Sequence, residues 1–307
     1  MTTLQKQFQL GDTKIPAVGF GTYLIADDDA ARVVAEAIIN GYRQIDAAAG
    51  YHNETGVGAG IADGISRAGI TRDEVFVTTK LWPGNAAWGD PPKGYDETRA
   101  AFEASREALG LDVIDLYLIH APSGADKRVE QWQALCDLKA EGRVRAIGVS
   151  NYTEAHIGEI RDAGLPMPEA NQIELHPWSQ KPDLVEFLRA EGILPIAYSS
   201  LVPLSTWRAE PGQSSAKTDD MKADSQNTAS LFREMAARYK VSEAQLLLRW
   251  GVQNGFPVLP KSMNADRMRA NLDLFGFEIS AEDMAVLATL DRGDGVAWAT
   301  GDPRNMG

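Results

Sequence analysis

Short apolar, β-branched runs recur along the chain, each closing on a polar residue and each followed by a segment of helical periodicity. Val75-Phe-Val-Thr-Thr leads to Lys80, Ile114-Asp-Leu-Tyr-Leu-Ile to His120, and Arg145-Ala-Ile-Gly-Val to Ser150 and Asn151. Residues 170–174, 193–198 and 257–260 continue the series, and the shorter runs 17–21 and 43–46 precede it, giving eight candidate strands. Helical patterns cover 28–40, 53–67, 96–109, 129–140, 153–163, 182–190 and 231–239; 242–253 adds a second helix before the last strand, and 281–289 follows it. Ser242-Glu-Ala-Gln and Ser280-Ala-Glu-Asp carry N-cap chemistry at two of these starts. Apolar strands alternating with helices predict a parallel sheet, and eight such units closing on themselves predict an α/β fold, the (β/α)₈ TIM barrel. Ahead of the first unit, Phe8-Gln-Leu-Gly-Asp-Thr-Lys-Ile reads as a β-hairpin capping the barrel bottom.

No Pro-rich linker or low-complexity block divides the chain, so 1–307 is expected to form a single barrel domain. Two stretches stand apart: 205–229 is polar and aperiodic, expected as a long loop on the cofactor and substrate side, and 293–307 is expected as a C-terminal tail. Gly19-Phe-Gly21 and Gly56-Val-Gly58-Ala-Gly60 both fail the G-x-G-x-x-G dinucleotide fingerprint, which argues against a doubly wound sheet. A formal charge of −13 disfavours general binding of nucleic acid or anionic membrane. The single Cys136 excludes an internal disulfide, and neither a long apolar run nor a signal-peptide core is present; a cytoplasmic protein is expected. His52, His156 and His176 show no metal-ligand spacing, so no metal is expected.

In a TIM barrel the chemistry sits at the C-terminal ends of the strands. Those ends carry Asp46, Lys80, His120, Ser150, Asn151, Gln172, Tyr198 and Lys261, with Tyr51 in the loop after Asp46. An Asp–Lys pair alone reads as a structural salt bridge, and a lone His as a core histidine; together at one end they read as a site. A phenol is a poor acid at neutral pH, but an adjacent ammonium favours its anion. Asp46 can hold Lys80 charged, Tyr51 can donate a proton to an oxygen gaining negative charge, and His120 can orient a carbonyl. These are tools for carbonyl reduction beside a hydride donor. Ser150, Asn151 and Gln172 complement a carboxamide, Tyr198 offers a stacking face, and Lys261-Ser-Met-Asn-Ala-Asp-Arg267 places cations and a hydroxyl beside a helix start, as a phosphate site requires.

From about Phe8 to Asp291 the chain closely resembles the aldo-keto reductase superfamily. The resemblance rests on Asp46-Ala-Ala-Ala-Gly-Tyr51-His-Asn-Glu, Lys80-Leu-Trp, Gly148-Val-Ser-Asn151, Asn171-Gln-Ile-Glu-Leu-His-Pro177, and Pro260-Lys-Ser262 with Arg267 and Asn271. It implies a catalytic tetrad of Asp46, Tyr51, Lys80 and His120, with Tyr51 the general acid in reversible NADPH-dependent reduction of aldehydes or ketones. It further implies nicotinamide stacked on Tyr198 and held by Ser150, Asn151 and Gln172. Thr22 and Tyr23 match a first-strand contact, Ser199 and Leu201 a pyrophosphate loop, Lys261, Ser262 and Arg267 a 2′-phosphate pocket favouring NADPH over NADH, and Asn271 an adenine contact. The substrate pocket is expected at Tyr23, Trp82 and Ala121. A monomer acting on a small-molecule carbonyl is implied, as the family is commonly monomeric. The chain departs from the pattern at Ala47, Ala270 and Val202-Pro203, and at Ala121, where a bulky Trp is usual and a wider pocket is therefore expected. The rival reading is a barrel of the same kind that binds cofactor for a sensing or structural role with little catalysis.

Overall fold

A computed structural model of the chain describes residues 6–204, 216–293, 295, 297, 298 and 301–306. β1 (Gln7–Leu10) and β2 (Thr13–Pro16) form the antiparallel hairpin, with Phe8 opposite Ile15. A parallel sheet follows in chain order: β3 (Phe20–Gly21), β4 (Gln44–Asp46), β5 (Phe76–Leu81), β6 (Ile114–Ile119), β7 (Val144–Ser150), β8 (Ala170–Glu174) and β9 (Leu194–Tyr198). The eighth segment closes it through single bridges rather than a ladder, Val258 pairing with Val18 on one side and Ala197 on the other. The Ala197 and Gly19 amides donate to the Pro257 and Val258 carbonyls at 2.8 Å, and the Val258 amide returns one bond to Ala17 at 3.0 Å. Pro257 and Pro260 have no N–H to return, so the ladder is thin where the barrel closes.

The helices are α1 (Asp27–Ile39), α2 (Glu54–Ala68), α3 (Tyr95–Leu109), α4 (Arg128–Ala140), α5 (Glu154–Asp162), α6 (Pro182–Ala190), α7 (Ala216–Tyr239), α8 (Glu243–Gln253), α9 (Ala265–Leu272) and α10 (Ala281–Ala288). One expectation is corrected here. Of the proposed 205–229 loop, 205–215 lie outside the described residues, and the rest belongs to α7. The stretch 216–230 contains neither Gly nor Pro and carries good helix formers, so it propagates a helix, but without an apolar stripe it leaves no period to read.

Strand alternation sorts the barrel's side chains. Leu116, Leu118, Ala146, Ala170 and Ile196 face inward and pack with Leu10 and Ile15 of the hairpin, which therefore floors the barrel. Tyr117, Ile119, Val77 and Leu81 face outward into the larger core beneath the helices. On β5 the inward set is Phe76, Thr78 and Lys80, so period-two alternation delivers the lysine to the barrel axis.

The glycines of 56–60 serve packing. A Cβ on Gly60 would lie 2.6 Å from the Ala31 carbonyl of α1, and one on Gly58 would lie 2.5 Å from the Leu109 carbonyl of α3. Gly60→Ala gains up to about 1 kcal/mol in helix propensity but forces α1 and α2 apart, which costs about 1–3 kcal/mol. The expected outcome is a net loss in urea unfolding; a raised midpoint would contradict this packing.

Candidate active site

Asp46 ends β4, and a 3-10 turn Ala49–Tyr51 carries Tyr51 back over the strand ends. The next residue, His52, adopts a left-handed backbone (φ 55°). Buried Asn53 then fixes the neighbouring loop by donating to the carbonyls of Thr22 at 2.9 Å and Ile25 at 2.8 Å. Glu54, at the start of α2, accepts hydrogen bonds from Thr79 and Ser105, which ties this turn to the outer face of β5. The tyrosine is thus placed by a turn anchored on three sides.

Lys80 is completely buried and bonded at its tip to three oxygens: Asp46 Oδ1 at 2.6 Å, the Ala47 carbonyl at 2.8 Å and the Tyr51 hydroxyl at 3.3 Å. Residue 47 meets Lys80 through its carbonyl, and its methyl packs in the buried core. Burial alone would push the Lys80 ammonium down, but attraction to Asp46 and to the Tyr51 oxygen, with hydrogen bonds to both, carries it above the ordinary lysine range. The second Asp46 oxygen accepts from Gln172 Nε2 at 2.8 Å. His120 follows β6 directly and meets the Tyr51 ring edge-on at 5.5 Å between centroids. Burial first, and then the Lys80 charge, hold this imidazole well below the usual histidine range, so it is neutral at physiological pH.

Asp46, Tyr51, His120 and Gln172 line a cavity of about 930 Å³, together with Tyr23, Trp82, Trp88, Ser150, Asn151, Tyr198, Ser199, Leu201, Lys261 and Trp298, while Lys80 lies buried behind them. The amide cluster is internally ordered. Ser150 Oγ donates to the Gln172 carbonyl at 2.7 Å, Asn151 Nδ2 to the His120 carbonyl at 3.0 Å, and the Tyr198 hydroxyl to Asn151 Oδ1 at 2.8 Å. Trp82 is held by Asp90 at 2.7 Å and stacks on Trp88 at 5.6 Å.

Not every expected residue reaches this cavity. Thr22 is buried with its hydroxyl on the Asp46 carbonyl at 2.9 Å. Ser262 and Arg267 lie at the N-terminal end of α9, where Asn264 caps the Arg267 amide. Asn271 is buried and hydrogen-bonded to Tyr42. Ala121 is fully buried and outside the lining, so the wider pocket expected at that position is not where its side chain sits. Sequence reasoning passed over Ser200, whose buried hydroxyl lines the cavity without a hydrogen-bond partner; its only signal is the Tyr-Ser-Ser-Leu run after β9. No group of metal-ligating side chains occurs among the described residues, and no described helix is long and apolar enough to cross a membrane.

The depressed histidines set a pH dependence. His120, His156 and His176 all lie below the usual range, chiefly through burial. Below about pH 6.5 the unfolded chain binds protons that the folded chain refuses, so stability present above that pH is lost as pH falls. Each such histidine contributes a slope of up to about 1.4 kcal/mol per pH unit. Urea unfolding between pH 7 and 5.5 is expected to fall less steeply in His120→Asn than in the wild type; parallel slopes would place a charged imidazole in the folded site.

Comparison with known proteins shows the family and the fold. The model of the Aldo/keto reductase family matches residues 17–292. Glyoxal reductase of Bacillus subtilis is 37% identical over 284 residues, covering 92% of this chain and 91% of that protein. Morphine 6-dehydrogenase of Pseudomonas putida is 35% identical over 300 residues, covering 95% and 92%. The crystal structure of a Bombyx mori aldo-keto reductase in complex with NADP superposes with a TM-score of 0.83 at 32% identity, covering 99% of this chain and 100% of that one. A closed parallel barrel, an Asp–Lys–Tyr arrangement at its mouth and a family match over residues 17–292 make this chain a member of the aldo/keto reductase family, an oxidoreductase by descent and by architecture.

Proposed function

We propose that the chain reduces aldehydes and ketones with NADPH, and that Tyr51 delivers the proton to the carbonyl oxygen. The observation that carries the reading is the buried Lys80 ammonium 3.3 Å from the Tyr51 hydroxyl and 2.6 Å from Asp46, two residues that line the cavity in front of it. As the proton leaves Tyr51 for the substrate oxygen, the phenolate formed faces a fixed positive charge in a dry site, where that stabilisation is stronger than in water. Asp46 keeps the ammonium charged and aimed. Neutral His120 orients the carbonyl by a hydrogen bond without adding a second cation.

The remaining groups fit NADPH by their chemistry. Lys261 and Arg267 lie close enough that burial, and then the arginine's charge, hold the lysine below its ordinary range; neither has a carboxylate partner among the described residues. A cation pair beside the α9 start suits the extra phosphate of NADPH, and the unpartnered Ser200 hydroxyl suits a pyrophosphate oxygen. Ser150, Asn151 and Gln172 would hold the carboxamide, and Tyr198 would stack on the ring; the bound cofactor supplies a hydride from C4 of its nicotinamide.

Tyr51→Phe is expected to bind NADPH with unchanged affinity and to lose about 10²–10⁴-fold in carbonyl turnover. Turnover near wild type would remove Tyr51 from the chemistry, and absence of turnover with any aldehyde in the wild type would favour a sensing role. Lys261→Ala and Arg267→Ala are expected to raise KM for NADPH at least tenfold more than KM for NADH. Equal losses would contradict recognition of the 2′-phosphate there.

A further inference from the structure

β8 ends at Glu174, two residues beyond Gln172, and the glutamate side chain is buried. Its two oxygens accept the Ala297 amide at 3.0 and 2.9 Å, and Oε1 lies 2.7 Å from His176 Nε2. Lys181 crosses beneath, donating to the Glu174 carbonyl at 2.9 Å and to Ser179. A second buried carboxylate repeats the grip two residues earlier: Asp302 Oδ2 accepts the Gly295 amide at 3.1 Å and is itself held by Arg304 at 2.6 Å. The passage between the two carboxylates has no room for a side chain. A Cβ on Gly295 would lie 2.9 Å from Asp302 Oδ2 and 3.0 Å from Glu174 Oε2. Just beyond the grip, Ala297 is buried, and Trp298 lines the cavity with its ring 6.4 Å from His120. Trp82 approaches the same imidazole edge-on at 6.0 Å.

We propose that Glu174 is a positioning residue for substrate selection: by gripping the backbone at Ala297 it fixes Trp298 as a wall of the space beside His120, against which the body of the carbonyl substrate packs. The inference rests on the reductase reading above and assigns to that site the surface against which a planar substrate packs. A carboxylate suits the task because it accepts a backbone N–H as a charge-assisted bond, about twice as strong as a neutral one, and because a barrel strand gives the clamp a rigid base. Indole walls present flat apolar faces, so the favoured partner is an aromatic or other planar carbonyl compound.

The test uses the full chain and Glu174→Gln, which keeps size and removes charge. Amide exchange at Ala297 is expected to accelerate about tenfold on loss of the charge-assisted bond. The ratio of kcat/KM for an aromatic aldehyde to that for a short aliphatic aldehyde is expected to fall about fivefold, through KM, with NADPH affinity unchanged. Trp298→Ala is expected to produce the same fall, and Glu174→Gln to add nothing in that background. Gly295→Ala, which displaces the segment while leaving Glu174 intact, should reproduce both effects if the glutamine variant folds poorly. Unchanged exchange at Ala297, or faster exchange with an unchanged selectivity ratio in an active enzyme, would overturn the proposal. A wild type inactive on every carbonyl would instead sink the reductase reading beneath it, while the exchange measurement would still report on the grip itself.

Discussion

An ammonium buried without exposure is the constraint around which the barrel's mouth is organised. Taking Lys80 out of water costs several kcal/mol, and the cost is met only because three oxygens converge on it. Each comes from a different feature of the fold: the Asp46 carboxylate from the end of β4, a carbonyl from the bend that follows, and the phenol from the 3-10 turn beyond. Gln172, reaching across from β8, holds the other Asp46 oxygen. Removing one partner of such a buried pair costs about 3–5 kcal/mol because the survivor stays charged and unpaired. The same demand explains the supporting turn. Asn53 and Glu54 spend buried polar groups on anchoring a segment only a few residues long, because a misplaced phenol would leave the ammonium short of a partner.

Charge is distributed unevenly along the cavity, and the unevenness carries the functional reading. At the inner end the cation is neutralised by Asp46, and the neighbouring histidine is kept uncharged. At the α9 end two cations crowd one another in a protein with a net charge of −13. The first arrangement suits a proton donor whose anion must be stabilised; the second suits a ligand bringing its own negative charge. Between them lie an ordered amide cluster and a tyrosine ring, and on the far side three indoles.

Much of this was legible in the chain because strand alternation and barrel topology are strong constraints. A polar residue ending an apolar run lands at the mouth, so Asp46, His120, Ser150, Gln172 and Tyr198 line one cavity, with Lys80 directly behind on Asp46 and Tyr51. What stayed hidden depends on contacts that no local pattern encodes. The 216–230 part of α7 has helix-forming residues but no apolar stripe, and so it read as loop. Ala121 follows His120 in sequence, yet its side chain is buried away from the cavity. The glycines of 56–60 resembled a failed nucleotide motif and instead let α2 approach its neighbours. Gln172 looked like a cofactor contact, and its partnership with Asp46 needs the closed barrel to bring β4 and β8 within reach. Glu174 gave no sign of its role because its partner lies 123 residues away.

The central claim is that the phenol of Tyr51, backed by the Lys80 ammonium, faces the reacting oxygen. A crystal structure of the chain with NADP⁺ and a carbonyl-bearing inhibitor tests it most directly. The account predicts the inhibitor oxygen within hydrogen-bond distance of the Tyr51 hydroxyl and of His120, with Lys80 still bonded to Tyr51 and Asp46. An oxygen bound elsewhere in the cavity, or a Tyr51 turned away from Lys80 in that complex, would contradict it.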